Sequence, residues 1–152
     1  TCAGAEEQSN LEVAEEACYR ALVNTDWGNL GEELKSEKLY NLARVKRRLS
    51  KFSEAETLLN ESLVIERKSS KEVNEKIGRR LTELSVNLAA QDRWDEGVSS
   101  LETVIPISKK YSGQERNFIV LVLNKYGAYL KDNGQAQKGA EFLSQAKALA
   151  VR

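Results

Sequence analysis

Apolar residues recur at helical spacing along the chain, and the segments they mark recur at one fixed distance. Leu39 and Leu42, Leu81, Leu84 and Leu88, and Leu123, Tyr126 and Leu130 each follow the i, i+3, i+7 pattern of a helix with one buried face. In the first set the third place is held by Lys46, whose aliphatic stem can lie along apolar surface. After each set comes a polar break: Leu49-Ser50-Lys51, Gln91-Asp92-Arg93 and Asn133-Gly134-Gln135. Phe52, Trp94 and Ala136 follow, and three residues later come Ala55, Gly97 and Gly139. The offset is 42 residues in both steps. The same register aligns Leu59, Leu101 and Leu143, then Ser62, Val104 and Ala146, and the small set Ala43, Ser85 and Gly127.

Three copies of a two-helix unit account for this periodicity. Upstream, Leu11–Leu22 matches a second helix alone, with Ala14, Cys18 and Ala21 in the small and core places. The pattern predicts seven helices, over about 11–24, 30–49, 53–67, 71–91, 94–110, 114–132 and 136–151. A tail over 1–10 would precede a single domain over 11–152, made of a half repeat (11–27) and repeats of about 28–69, 70–111 and 112–152. Ser53 and Asp92 are the expected N-caps of the second helices. Pro106 should end or kink its helix. The small residues have a steric reason, since two helices of a hairpin that cross closely leave no room for a larger side chain.

These residues resemble the tetratricopeptide repeat (TPR). Leu42-Ala43, Phe52, Ala55 and Ser62 stand where that family places its helix-A motif, turn aromatic and small helix-B residues. Leu84-Ser85, Trp94, Gly97 and Val104 repeat the set, as do Tyr126-Gly127, Gly134, Ala136, Gly139 and Ala146. The 42-residue spacing and Asn41-Leu42-Ala43 are similar to the longer-helix variant found in kinesin light chains. The proline that usually ends helix B in the family is missing. The resemblance implies an all-α solenoid of stacked antiparallel helix pairs, a right-handed superhelix whose first helices line a concave side. It implies that ligand peptides lie along that side. Carried over, the groove positions are Glu37, Tyr40, Arg44, Arg47 and Arg48 in the first copy. They are Arg79, Thr82, Val86, Ala89 and Ala90 in the second, and Leu121, Asn124, Ala128, Lys131 and Asp132 in the third.

Charge divides that groove. The 152-residue chain carries 23 basic and 23 acidic residues, so no net charge argues for nucleic acid or an anionic membrane. Locally, residues 1–34 are acidic, and residues 35–51 hold Lys35, Lys38, Arg44, Lys46, Arg47, Arg48 and Lys51 against Glu37 alone. Arg44-Val45-Lys46-Arg47-Arg48 can be read as a solvated face balancing the acidic first helix, as a nucleic-acid patch lacking interleaved aromatics, or as the basic end of the groove. Arginine forks there suit carboxylates or phosphates. Val86, Ala89 and Leu121 make the other end apolar.

Catalytic chemistry has little to build on. There is no histidine, which removes the commonest general base and zinc ligand. The pairs Glu6-Glu7, Glu15-Glu16 and Glu32-Glu33 are adjacent, and helix neighbours do not face each other. Gly28-Asn29-Leu30-Gly31 reads as a turn before a helix rather than a phosphate loop. No cofactor or metal is implied. Cys18 occupies a core place, and a Cys2–Cys18 bridge would need the N-terminus to fold back. Cys2-Ala3-Gly4, followed by a polar, acidic stretch, resembles the mature start of a bacterial lipoprotein, which implies acylation at Cys2 and the cell envelope; a cytoplasmic adaptor is the alternative.

The apolar run Phe118–Leu123 points all round a helix, so some of Ile119, Leu121 and Val122 are expected to face the groove. The last helix lacks a polar cap, which assigns Phe142 or Leu149 to a partner, a dimer mate or a further segment. The sequence therefore reads as a non-enzymatic module, an adaptor or assembly factor, binding a peptide or protein segment; an acidic one would suit its basic end. The rival readings are an accessory helical domain of a larger regulator or enzyme, and a homodimer formed through the terminal helices.

Overall fold

A computed structural model describes residues 2, 10–23 and 31–151. The expected tail apart from Cys2 and Asn10, the end of the half repeat at 24–27, Gly28-Asn29-Leu30 and the pair Glu6-Glu7 lie outside the described residues. Among the described residues there are seven α-helices and one 3₁₀ helix: α1 (Leu11–Val23), α2 (Gly31–Arg48), α3 (Phe52–Ser69), α4 (Glu75–Ala90), α5 (Trp94–Val104), the 3₁₀ helix (Ile105–Lys110), α6 (Gly113–Asp132) and α7 (Ala136–Ala150). Pro106 stands in the first turn of the 3₁₀ helix, directly after α5 ends at Val104. Its ring and missing N–H end the α-helix there, as the sequence predicts. The chain packs as two compact units, 1–72 and 73–152. In the first, α1 packs on α2 and α2 on α3; in the second, α4 packs on α5 and α6 on α7.

One turn, used three times, closes the helix pairs. Ser50, Asp92 and Gly134 have φ of 61°, 59° and 84°, the left-handed conformation that ends a helix. In each case the next residue donates its N–H back to the helix: Lys51 to Lys46 O, Arg93 to Leu88 O and Gln135 to Leu130 O, all at 2.8 Å. Lys51 and Gln135 then accept from Ala55 N and Gly139 N at 3.0 and 2.9 Å, starting the next helix. One residue thus serves both helices. This corrects the expected caps. Ser53 lies inside α3, whose N-cap Lys51 makes no side-chain capping bond, and Asp92 is the left-handed residue rather than the cap of α5, which is Arg93. The side-chain caps seen are on α4, where Asn74 Oδ1 accepts from Ile77 N at 2.9 Å, and on α1, where Asn10 Oδ1 accepts from Val13 N at 3.3 Å.

Each unit fills its helix crossings differently. In the first, the crossing of α2 and α3 is polar: Ser62 Oγ donates to Ser36 O at 3.0 Å, the two hydroxyls lie 2.8 Å apart, and Ser36 Oγ reaches Glu66 Oε1 at 3.1 Å. All three residues are buried. In the second, a Cβ at Gly139 would stand 2.7 Å from Gly127 O and 2.9 Å from Lys131 N, so α6 and α7 touch backbone to backbone. A Cβ at Gly97 would collide with the Tyr126 hydroxyl and stand 2.6 Å from its ring carbon Cζ. That hydroxyl donates to Ser85 O at 2.5 Å, and the Tyr111 hydroxyl donates to Glu75 O at 2.6 Å. Two tyrosines thus fasten α4 to the segment after the 3₁₀ helix and to α6. The core of this unit includes Val98, Leu101, Ile119, Val122, Leu123, Leu130, Phe142 and Leu149.

Candidate peptide-binding site

The expected groove residues fall on the helix-A elements α2, α4 and α6. On α2, the guanidinium of Arg44 stands over the Tyr40 ring, 5.7 Å from its centroid, because the two are one helical turn apart. Arg47 is half-buried and Arg48 and Glu37 are exposed. The neighbouring ammonium groups are engaged by α1 and α3. Lys46 Nζ lies 2.6 Å from Glu15 and 3.3 Å from Glu54, and Lys51 Nζ lies 2.7 Å from the same Glu15 oxygen. Hydrogen bonds from Lys46 and Lys51 hold the Glu15 carboxyl below its ordinary value. Burial works against the charge of Lys46, but the bonds to Glu15 and Glu54 outweigh it and leave that group raised. Two of the local bases therefore balance the acidic first helix.

On α4, Arg79 pairs with Glu115 of α6 at 3.1 Å. Thr82 is 1 % exposed and donates to Gly78 O at 2.8 Å, so it presents no groove surface. Val86 and Ala89 are half-buried and Ala90 is exposed. These three meet Val122, Lys125, Tyr126 and Trp94 around a pocket of about 220 Å³. Its aromatic wall is braced by ring contacts: Trp94 stacks on Tyr129 with centroids 4.6 Å apart and interplanar angle 5°, and meets Tyr126 edge-on at 4.9 Å. Burial pushes the Tyr126 hydroxyl far up, so it stays protonated and keeps its bond to Ser85 O.

On α6, Leu121, Asn124, Ala128, Lys131 and Asp132 are all exposed. Of the three apolar residues expected to share the groove, Ile119 and Val122 are core and Leu121 turns outward, 50 % exposed. Phe142 and Leu149, assigned from the sequence to a partner surface, are buried in the core of the second unit. The apolar exposure at that end belongs to Val151.

The sequence reading passed over Lys125, which puts a charge on the pocket wall, and the wall position of Trp94, taken only for the turn aromatic of its repeat. Both could have been found by placing the turn aromatic and the next helix A on one face. It also missed a buried polar stripe on α4, Arg80, Glu83 and Asn87, although its i, i+3, i+7 spacing is plain in the sequence. Arg80 Nη1 donates to Lys76 O at 2.8 Å. Among the described residues no group of acidic or cysteine side chains is arranged to hold a metal ion, and no helix is long and apolar enough to cross a membrane.

Cys2 and Cys18 form a disulfide with Cα atoms 4.5 Å apart. The sulfur atoms lie against Ala14, Leu42 and Val45 in the core of the first unit. A sulfur in this bond cannot at the same time carry a thioether-linked lipid, so the two fates of Cys2 exclude each other.

No protein-family model and no curated protein matches the chain. Solved structures do. A kinesin light chain protein of Podosopora anserina with nearly identical TPR-like repeats superimposes with a TM-score of 0.65 at 20 % identity, over 98 % of this chain and 71 % of that one. A glutamine-to-methionine variant of that protein gives 0.69 at 19 % identity, over 97 % and 70 %. The fold is all-α, a solenoid of TPR-like helix pairs.

Proposed function

We propose that the chain is a protein-interaction module, an adaptor or assembly factor that holds a peptide segment and does no chemistry of its own. The observation that carries this reading is the pocket between α4 and α6. Its walls are Val86, Ala89, Ala90, Val122, Trp94 and Tyr126, with the ammonium of Lys125 beside them. Apolar walls with one placed charge take an apolar side chain next to a carboxylate. The stacked rings cost little entropy on binding because they are already fixed. In the first unit, Arg44 and Arg48 on α2 supply forks for acidic groups of a peptide. The 42-residue register of the three left-handed turns supports kinship with the longer-helix repeats of kinesin light chains. If Cys2 is acylated in the cell, the module works at the bacterial envelope; that modification requires the thiol that Cys18 holds in the structure.

A displayed peptide library selected on the purified chain tests the reading. Enriched peptides should pair an apolar side chain with acidic neighbours. Calorimetry on one such peptide should show Lys125→Glu and Ala89→Glu each weakening binding by about tenfold or more. Arg44→Glu with Arg48→Glu should weaken binding of the more acidic peptides, with the helical circular dichroism unchanged. Selection that enriches nothing, or binding indifferent to the pocket variants, overturns the proposal.

A further inference from the structure

Pro106 ends α5 early, and the chain passes into the 3₁₀ helix, on which α7 packs. Beside them runs a trough that shares no residue with the pocket of α4 and α6. It is lined by Ile105, Pro106 and the buried Phe142, by Glu102 of α5, and by Lys138 and Glu141 of α7, and its volume is about 350 Å³. A hollow of about 330 Å³ continues it past Lys138 and Glu141 to the turn at Gly134. Lys138 Nζ reaches across to Glu102 Oε1 at 3.0 Å. The side chains of Glu141 and Gln145, also on the lining, make no ion pair or hydrogen bond among the described residues. The trough therefore carries two carboxylates against one ammonium, whereas the pocket of α4 and α6 carries the ammonium of Lys125 alone.

We propose that this trough is a second peptide site, with the opposite charge preference to the pocket of α4 and α6, and that it takes an extended segment in which one arginine stands beside an apolar side chain. The stretch of α7 from Ala136 to Gln145 rises about 15 Å. That is the span of about four or five extended residues. The guanidinium of the arginine pairs with the unpartnered carboxylate of Glu141, fork to fork. The neighbouring apolar side chain covers Ile105 and Pro106, and the Gln145 amide is placed to meet the segment's backbone. Lys138 sets the selectivity. While it neutralises Glu102, one negative charge is left over, which matches a single cation and gives a second one no partner. A chain with an inner pocket for an acidic segment and this trough for a basic one holds two unlike segments at once, which is what an adaptor needs. The trough does not depend on the inner pocket, since neither its residues nor its ligand is shared.

Titration of the isotope-labelled whole chain with the capped pentapeptide SLRLS, followed by amide chemical shifts up to millimolar peptide, tests this. Amides over 102–106 and 138–145 should move, while those of Val86, Ala89 and Lys125 should stay. Citrulline in place of the arginine keeps the shape and removes the charge, and should weaken binding by about tenfold. Glu141→Gln, an exposed change on α7, should lose a similar factor. Lys138→Gln releases Glu102 and should tighten binding a few-fold, a gain that a merely disturbed fold would not produce. Ala89→Glu, in the other pocket, should leave the titration unchanged. No shifts in the trough, equal binding of the arginine and citrulline peptides, or indifference to Glu141→Gln overturns the proposal. Shifts confined to Val86, Ala89 and Lys125 overturn it too, and assign the arginine to the inner pocket.

Discussion

The two units answer the same geometric demand with opposite chemistry. Both turn from helix A to helix B through a left-handed residue, at Ser50 in the first and at Asp92 and Gly134 in the second. At the third apolar position of helix A, the first unit has Lys46, 16 % exposed and bonded to Glu15, where the second has the buried Leu88 and Leu130. At the helix crossing, the first has hydroxyls and a carboxylate, while the second has glycines, tyrosine rings and bare backbone. The turn and the small residues set the hairpin, and the remaining positions are free to be polar or apolar provided each buried polar atom finds a partner. The first unit should therefore respond to pH, and the second to steric change.

Gly139→Ala breaks that comparison most sharply. On an exposed helix the change gains about 1 kcal/mol. Here the new methyl meets Gly127 O at 2.7 Å and Lys131 N at 2.9 Å, backbone atoms that cannot swing aside. The expected loss is about 3 kcal/mol, seen as a lower urea midpoint. Position 55, its counterpart in the first unit, already carries alanine, fully buried. A neutral result at Gly139 would show that α6 and α7 can separate as the first hairpin has done.

Much of this was legible in the sequence and some was not, for physical reasons. The 42-residue register, the helices and the break at Pro106 follow from periodicity and from the missing proline N–H. Those signals are local. The caps were misread because Ser53 and Asp92 are good N-cap residues, yet the chain uses one residue to end a helix and start the next, a backbone arrangement that side-chain preference does not report. The pocket between α4 and α6 was half legible. Carrying the repeat over picked out Val86 and Ala89, which line it, but Thr82 turns inward to bond Gly78 O, Leu121 turns outward, and Lys125 and Trp94 join the pocket only because α4 and α6 lie side by side. Phe142 and Leu149 were assigned outward because the last helix lacks a polar cap, whereas its own hairpin and the 3₁₀ helix cover them.

Glu15→Gln sharpens the comparison on the electrostatic side. Glu15 holds Lys46 and Lys51 together, and losing its charge should cost about 1 kcal/mol near pH 7, since the pair is only partly shielded from water. The sign comes from the shifts. Glu15 is lowered when folded, so its contribution is present above the ordinary value of 4.5 and is lost as pH falls through the folded value. Lys46 is raised when folded, so its contribution is full below 10.5 and is lost as pH rises through the folded value. Wild type and Glu15→Gln should therefore differ near neutrality and converge in acid, read as hydrogen exchange in α2. Exchange in α6 should not show this pattern. A difference that persists in acid would show that Glu15 acts by packing rather than by charge.

The smallest expected effect concerns the turn that the units share. Ser50 and Asp92 hold φ near 60° without being glycine, while Gly134 does the same work at no steric cost. Ser50→Gly and Asp92→Gly each remove a β-carbon from the left-handed conformation, and each should raise stability by up to about 1 kcal/mol, less what the unfolded chain gains in freedom. Gly134→Ala should lose a similar amount, because its φ of 84° is strained for alanine although nothing lies within 4 Å of the added carbon. Thermal unfolding of the three variants measures this directly. Equal and opposite shifts would mean that the turn is one device in both units. A gain at Ser50 without one at Asp92 would mean that the Asp92 side chain contributes to its own turn, and that the second unit has adapted even the backbone element it has in common with the first.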